Sequence, residues 1–218
     1  MKRGLYVFLF CLSVMLFSFG CSKDFEQIVF ENISEEVETY FCGVGDFKAK
    51  LSSGQREEPY TYNGKRSALV DFAVLSVICD CDKSMISVDV VINGQIETKI
   101  LELNTINGEF VVDLEKKINE SDVVLLKYGG SELTLECKSK DFQINSQKAR
   151  DIGMGVFKED LNKLVSKNEL LAEVYLRVLD NAKDNFNRAY WYFYIYAVNN
   201  QTYSCVIDVM TGDIVLKN

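Results

Sequence analysis

The residues best suited to binding chemistry form one run near the C-terminus, residues 190–196, which reads Tyr-Trp-Tyr-Phe-Tyr-Ile-Tyr. In a β-strand, side chains alternate between two faces, so the four tyrosines share one face, opposite Trp191, Phe193 and Ile195. Tyrosine presents a large amphipathic surface at low entropic cost, and such surfaces bind peptides and sugars. With two residues from a neighbouring strand, the predicted binding face consists of Tyr175, Arg177, Tyr190, Tyr192, Tyr194 and Tyr196.

The same tyrosines also have two purely structural interpretations. In the first, the β-rich part of the chain packs over them and buries them. In the second, they stabilise the sheet through cross-strand aromatic pairs and bind nothing. The solvent exposure of the tyrosines distinguishes burial from a binding role.

Catalytic chemistry is restricted because the chain contains no histidine. This excludes hydrolases that depend on an imidazole and removes the commonest metal ligand. Carboxylate chemistry stays open, since a glycosidase needs only two acids. Paired acids occur at Glu35-Glu36, Glu57-Glu58, Asp80 with Asp82, and Asp208 with Asp213. In a chain with 32 acidic residues, most acids are exposed by default, so we predict no catalytic residue and no cofactor.

Seven cysteines are present, and Cys11 and Cys21 lie in the N-terminal segment. The other five cannot all pair within one chain, so one or two disulfides are open to Cys42, Cys79, Cys81, Cys137 and Cys205. In a strand, Cys79 and Cys81 would share a face and could clamp a soft metal. Because no second cysteine or histidine pair supports such a clamp, we predict no metal site.

The N-terminus combines Lys2 and Arg3 with an apolar run over residues 5–19, followed by Gly20 and Cys21. This pattern resembles a bacterial lipoprotein signal peptide, although Ser18 stands where that family usually has an aliphatic residue. The resemblance implies cleavage after residue 20, a lipid such as palmitate on Cys21, and an extracytoplasmic location on the cell membrane or outer membrane. An ordinary signal peptide and an uncleaved anchor remain as alternatives.

The charge of the remaining chain bears on its partners. Removing Lys2 and Arg3 from 24 basic residues leaves 22 against 32 acidic ones, a formal charge of −10. Such a chain is not drawn by charge to nucleic acid or to an anionic membrane surface. We therefore expect no nucleic-acid partner, and attachment to the membrane through the lipid on Cys21.

The periodicity of apolar residues predicts an α+β protein built from three elements. After the signal peptide (residues 1–20), residues 21–44 comprise the lipidated cysteine, a tether and an amphipathic helix over 24–41. Residues 45–140 favour an antiparallel immunoglobulin-like β-sandwich, because short strands alternate with Asn-Gly and Gly-Gly turns, among them an expected hairpin turn at Asn63-Gly64. Ser52-Ser53-Gly54 is interpreted there as a turn or bulge. The expected strands span residues 47–51, 69–78, 85–92, 95–103, 110–114, 122–128 and 131–138.

Residues 145–218 are expected to form a helix followed by an antiparallel meander. Asn145 or Ser146 would cap the helix, and Gly153 and Gly155 predict a kink or close packing within it. The expected strands span residues 172–179, 190–198, 203–209 and 214–216. The helix would cover the face of the sheet that carries Trp191.

The last hairpin has a family resemblance. Asp208 ends a strand, and Thr211-Gly212-Asp213 turns the chain into an aliphatic strand, which is similar to the closing hairpin of PepSY-type domains. The resemblance extends over residues 145–218 and not over 25–139. It implies a PepSY/cystatin-like fold and an extracellular protein or peptide partner, with an inhibitory or chaperone-like role.

These observations favour a lipid-anchored envelope protein with a non-catalytic peptide- or protein-binding role. Two alternatives remain. The first is a structural or assembly lipoprotein that acts as a spacer, with the tyrosines buried between domains. The second is a carboxylate-based enzyme acting on glycans, which requires two carboxyl groups about 5–9.5 Å apart in a cleft.

The anchoring hypothesis predicts the covalent state of the native molecule. We expect mass spectrometry of protein purified from membranes to find the first 20 residues removed and acyl chains on Cys21, since several acyl chains anchor a protein firmly. An attached leader, or an unmodified thiol at this position, would contradict both the location and the expected class of partner.

Overall fold

The computed structural model describes residues 24–59 and 67–218. In these ranges the chain forms three α-helices, α1 (Phe25–Phe30), α2 (Ser146–Val156) and α3 (Lys158–Leu164), and is otherwise mostly β. The strands are β1 (Ile33–Val44), β2 (Lys48–Glu57), β3 (Leu69–Ile78), β4 (Met85–Ile92), β5 (Gln95–Asn104), β6 (Glu109–Asp113), β7 (Val124–Tyr128), β8 (Ser131–Cys137), β9 (Val165–Ser166), β10 (Glu169–Leu170), β11 (Ala172–Asp180), β12 (Ala189–Ala197), β13 (Thr202–Asp208) and β14 (Ile214–Lys217).

Strands β1 to β8 form a closed eight-stranded antiparallel barrel. Its order is β1-β2-β3-β6-β5-β4-β7-β8, and β8 returns to β1 through the pairs Phe41–Cys137 and Cys42–Glu136. The barrel interior is filled by apolar side chains, among them Phe41, Leu51, Leu75, Leu101, Phe110 and Leu126. The predicted immunoglobulin-like sandwich is therefore wrong, because a sandwich has two separate sheets and this ring of strands has no break.

The predicted helix over residues 24–41 is also wrong. Asp24 caps α1 by accepting a hydrogen bond from the Gln27 amide at 2.7 Å, but the helix ends at Phe30 and β1 follows. Ile33, Val37 and Phe41 are four residues apart, a spacing that fits one face of a helix and one face of a strand equally. The β-branched and aromatic residues of this segment favour the strand.

Strands β11 to β14 extend the same sheet to twelve strands. β11 pairs with β1 in parallel, with Ile33 opposite Val174, and β12, β13 and β14 follow as an antiparallel meander in which β14 is outermost. Because most of the described chain is strand and twelve of the strands form one sheet, the predicted α+β class is wrong. The division into units at 45–140 and 145–218 stays a prediction.

The meander has the two faces that the sequence predicts. Trp191, Phe193 and Ile195 are fully buried under α2 and α3, and the Trp191 indole donates a hydrogen bond to the Ile144 carbonyl at 2.7 Å. Asn145 caps α2 by accepting from the Lys148 amide at 2.9 Å, which confirms one of the two predicted caps.

Several strands lie where the sequence predicts them. The expected strands over residues 69–78 and 85–92 match β3 and β4 at both ends, and the other expected strands agree within a few residues except at β2. β2 runs through Ser52-Ser53-Gly54, where the sequence suggested a turn or bulge. The hairpin expected at Asn63-Gly64 lies outside the described residues.

Gly153 lets α2 approach the sheet closely. A Cβ at this position would lie 2.3 Å from Cγ of the Phe193 ring, whereas a Cβ at Gly155 would meet nothing within 4 Å. The predicted close packing is thus confirmed at Gly153, and Gly155 has no steric requirement for glycine. The helix breaks at Phe157, whose ring stacks on Phe193 at a centroid distance of 6.4 Å.

An ionic cluster joins the barrel to the meander. Lys50 of β2 lies 3.1 Å from the Asp180 carboxylate of β11 and 3.0 Å from the Glu109 carboxylate of β6. Burial acts to lower the pKa of Lys50, but the two carboxylates outweigh it and raise that pKa. Burial is also the main cause that raises the pKa of Asp180, and Lys50 opposes it.

The two glycines of α2 should respond oppositely to alanine. We expect Gly153→Ala to lower the free energy of unfolding by about 1–3 kcal/mol, because its Cβ meets the buried Phe193 ring. Gly155→Ala is the matched control, and we expect it to raise stability by about 0.5–1 kcal/mol because alanine favours the helix. Urea denaturation measures both, and equal effects of the two substitutions would contradict this packing.

Lys50→Met should destabilise the protein by about 3 kcal/mol near neutral pH, because it leaves two buried carboxylates unpaired. Asp180 already has a raised pKa in the folded state, so its protonation as the pH falls relieves the burial cost. The loss in free energy of unfolding caused by Lys50→Met should therefore be largest near pH 7 and become smaller toward about pH 4.

The control is Lys99→Met, which removes a partly exposed pair with Glu97 and should cost less than about 1 kcal/mol. Denaturation curves at several pH values measure both variants. A Lys50→Met deficit that grows on acidification would show that the carboxylates are not the cause.

Candidate functional site

The candidate site begins with four neighbouring tyrosines on β11 and β12, of which the three on β12 are stacked and Tyr175 is tilted against Tyr194. The ring centroids of Tyr175 and Tyr194 are 5.8 Å apart, those of Tyr192 and Tyr194 are 5.8 Å apart, and those of Tyr194 and Tyr196 are 6.4 Å apart. Strand pairing sets this row, because Tyr175 lies opposite Tyr194 and Arg177 lies opposite Tyr192. We call these five residues the tyrosine face.

The sixth predicted residue, Tyr190, does not join the stacked row. It lies at the start of β12 and lines a different pocket, together with Asp208 and Met210. The structure therefore brings five of the six predicted residues together and places Tyr190 at the far end of the same strand.

The tyrosine face is partly open to solvent. All four of its tyrosines are half-buried, and α2 and α3 pack on the opposite side of the meander. The barrel borders this face instead of covering it. A pocket of about 630 Å³ lies at the border, lined by Ser34, Glu35, Arg56, Glu57, Glu58, Tyr175, Arg177, Tyr194 and Tyr196.

Arg177 lies beside the tyrosines and is bound by a carboxylate of β1. Its guanidinium donates two hydrogen bonds to the Glu35 carboxylate, each 2.7 Å long, and lies 5.2 Å from the centroid of the Tyr175 ring. Burial acts to lower the pKa of Arg177, but the hydrogen bonds and charge of Glu35 outweigh it and raise that pKa. Arg177 therefore stays charged and its charge is balanced by Glu35.

The Tyr194 hydroxyl is a neutral polar group at physiological pH. Burial raises the pKa of Tyr194, and the neighbouring Tyr192 and Tyr196 raise it further. Tyr175 donates a hydrogen bond to Glu173 at 2.7 Å. The surface thus offers flat apolar rings with hydroxyl groups at their tips, a combination suited to peptide backbone and to aliphatic or basic side chains.

The barrel side of the pocket is acidic. Glu57 is buried and accepts a hydrogen bond from the Ser67 amide at 2.8 Å, while Glu58 is exposed. Arg56 is paired with Asp113. The two arginines that line the pocket are therefore both neutralised by carboxylates.

In the described part of the chain, four of the eight paired acids noted in the sequence have side-chain contacts: Glu35, Glu36, Glu57 and Asp208. Glu35 is bound by Arg177, and Glu36 lies 3.2 Å from Arg150 with a pKa that burial raises. Asp208 accepts from the amides of Met210 and Thr211 and so shapes the last turn.

Sequence reasoning noted Glu35, Glu57 and Glu58 only as paired acids and missed that the barrel brings them to the pocket beside the tyrosines. Ser34, Glu35 and Arg56 lie on β1 and β2, and the helix predicted over residues 24–41 removed β1 from consideration. The available signal was the β-branched and aromatic composition of residues 33–41.

The five described cysteines are all free thiols. Burial raises the pKa of Cys42 and that of Cys205, each to about 11, so both thiols are neutral at physiological pH. Within residues 24–59 and 67–218, no group of three or more cysteine or acidic side chains is arranged to hold a metal ion. Cys21, the predicted lipidation site, lies outside the described residues.

Comparison with known proteins adds no family. No protein-family model, curated protein or solved structure matches the chain. In the part of the chain that the structure describes, no helix is long and apolar enough to cross a membrane. The resemblances to lipoproteins and to PepSY-type domains therefore stay predictions.

Proposed function

We propose that this chain is a lipid-anchored protein of the cell envelope that binds an extended peptide or protein segment on the tyrosine face, without catalysis. The observation that carries the binding role is the stacked row of half-buried tyrosines, which opens into the pocket of about 630 Å³. The proposed location is supported by Lys2, Arg3, the apolar run and Cys21.

The shape and chemistry of the face favour an extended ligand. The stacked rings follow β12 over Tyr192, Tyr194 and Tyr196, side chains that lie two residues apart on one strand and together span roughly 13 Å. Rigid aromatic rings contribute contact area at low entropic cost, and their hydroxyls can pair with peptide amides and carbonyls.

The charge of the surface favours a ligand with basic side chains. Arg56 and Arg177 are already paired with carboxylates, Glu58 is exposed at the rim, and the chain without its leader has a formal charge of −10. A basic side chain can also stack on a tyrosine ring through a cation–π contact. An acidic peptide would be repelled by the same field.

The prediction concerns the double variant Tyr192→Ala, Tyr194→Ala. Peptides selected from a random display library on the wild-type protein should be enriched in basic residues, and they should bind the double variant at least about tenfold more weakly because two stacked rings are lost. Fluorescence anisotropy of the labelled peptides measures the affinities.

The matched control is Ile100→Ala, which removes an exposed apolar side chain from the barrel and should leave the affinity unchanged. Circular dichroism establishes that each variant is folded. Equal affinity of the selected peptides for the wild type and a folded double variant would refute the binding role of this face.

A further inference from the structure

Two cysteines meet at one end of the barrel, away from the tyrosine face. Cys79 and Cys81 lie in the segment that joins β3 to β4, and their Sγ atoms are 3.3 Å apart. The Tyr128 hydroxyl of β7 lies 3.8 Å from Cys79 Sγ. Both thiols rest on the edge of the barrel core and remain partly exposed, so a reagent in solution can reach them.

The two sulfurs are close enough for a small movement to bring them to bonding distance. A disulfide has an S–S length of about 2.05 Å, so closure requires the sulfurs to approach by about 1.2 Å. Residues 79–83 lie outside the strands, and the backbone there is free of the sheet ladder that would resist a small rotation. The reduced pair is thus positioned for oxidation with little movement of the barrel.

The two thiols differ in acidity. The hydrogen bond from Cys79 is the main cause that lowers the pKa of Cys81, and Tyr128 and Lys83 lower it further. Burial is the main cause that raises the pKa of Cys79. Since the thiolate is the nucleophile, Cys81 is suited to attack first and Cys79 to react second.

We propose that Cys79 and Cys81 form a thiol–disulfide exchange site that reduces the disulfide of a peptide or a small thiol compound. In the first step, the Cys81 thiolate attacks one sulfur of R–S–S–R′, a mixed disulfide forms, and R′S⁻ leaves and takes up a proton. In the second step, Cys79 loses its proton and attacks Cys81 Sγ, which forms the Cys79–Cys81 disulfide and releases RS⁻. The substrate gains the two electrons that the dithiol loses.

The other described thiols lack this arrangement. Cys42 and Cys205 are buried, and Cys137 has the Ser139 hydroxyl 3.3 Å away as its close neighbour instead of a second thiol. The site is also independent of the proposed peptide-binding role, because it shares no residue with the tyrosine face. Failure of one proposal therefore leaves the other standing.

The test uses the reduced full chain, oxidised glutathione as the probe, and peptide mass spectrometry after acid quenching. The wild type should form the Cys79–Cys81 disulfide, release glutathione and retain none on either residue. Cys79→Ser should trap glutathione on Cys81, because the second step is blocked. Cys81→Ser should acquire glutathione on Cys79 more slowly, by a factor on the order of ten.

Acidity gives a second readout. In Cys79→Ser the serine hydroxyl can still donate to Cys81, and the rate of glutathione addition should rise with pH as the Cys81 thiolate forms. In Cys81→Ser burial still raises the pKa of Cys79 and should shift that rise to higher pH. Cys137→Ser is the matched control and should react as the wild type does. The fluorescence of the buried Trp191 reports whether each variant is folded.

Two results would overturn the proposal. One is a wild-type chain that retains glutathione or stays reduced and forms no Cys79–Cys81 disulfide. The other is a folded Cys81→Ser variant that reacts as fast as Cys79→Ser over the same pH range. Equal rates would mean that Cys81 is not the thiol that attacks first.

Discussion

The backbone N–H and C=O groups of β1 need hydrogen-bonding partners along both edges of the strand. The arrangement of the other strands depends on which partners these groups find. One edge pairs with β2 along nearly its whole length. The other edge pairs with β11 at Ile33–Glu36 and with β8 at Phe41–Cys42. Because one edge is divided between two partners, the barrel and the meander are parts of one sheet and diverge near the middle of β1.

Side-chain and backbone contacts both stabilise the part of β1 where the barrel and the meander diverge. The pairing of β1 with β2 shifts register between Val37 and Thr39, and the Thr39 hydroxyl donates to the Ile118 carbonyl at 2.7 Å. On β2, a Cβ at Gly54 would lie 2.0 Å from the Glu36 carbonyl oxygen, so only glycine allows this approach. The same divergence leaves the space in which barrel carboxylates face the tyrosines of the meander.

The positions and faces of several strands could be predicted from the local alternation of apolar and polar residues. The pairing of strands that are distant in the sequence could not. Leu69–Ile78 and Met85–Ile92 were predictable because apolar runs end at clear turn residues, and the faces of β12 were predictable because tyrosines alternate with apolar residues. β1 was mistaken for a helix because a spacing of four residues fits both periods. Gly54 suggested a turn, although its role is close backbone approach. Barrel closure depends on Phe41 meeting Cys137, which no local pattern encodes. The place of Glu35 in the pocket was missed because a helix was predicted where β1 lies, and that of Arg56 depends on the distant pairing of β1 with β11.

The position of β14 at the end of the sheet has a consequence for self-association. β14 is the last strand in the order of the twelve-stranded sheet, so its four residues form an outer edge. Its apolar side chains Val215 and Leu216 are exposed, and such an edge can template growth of cross-β aggregates. Lys217, anchored over the Phe157 ring at 4.9 Å, places a cation on this short edge and opposes stacking of further chains.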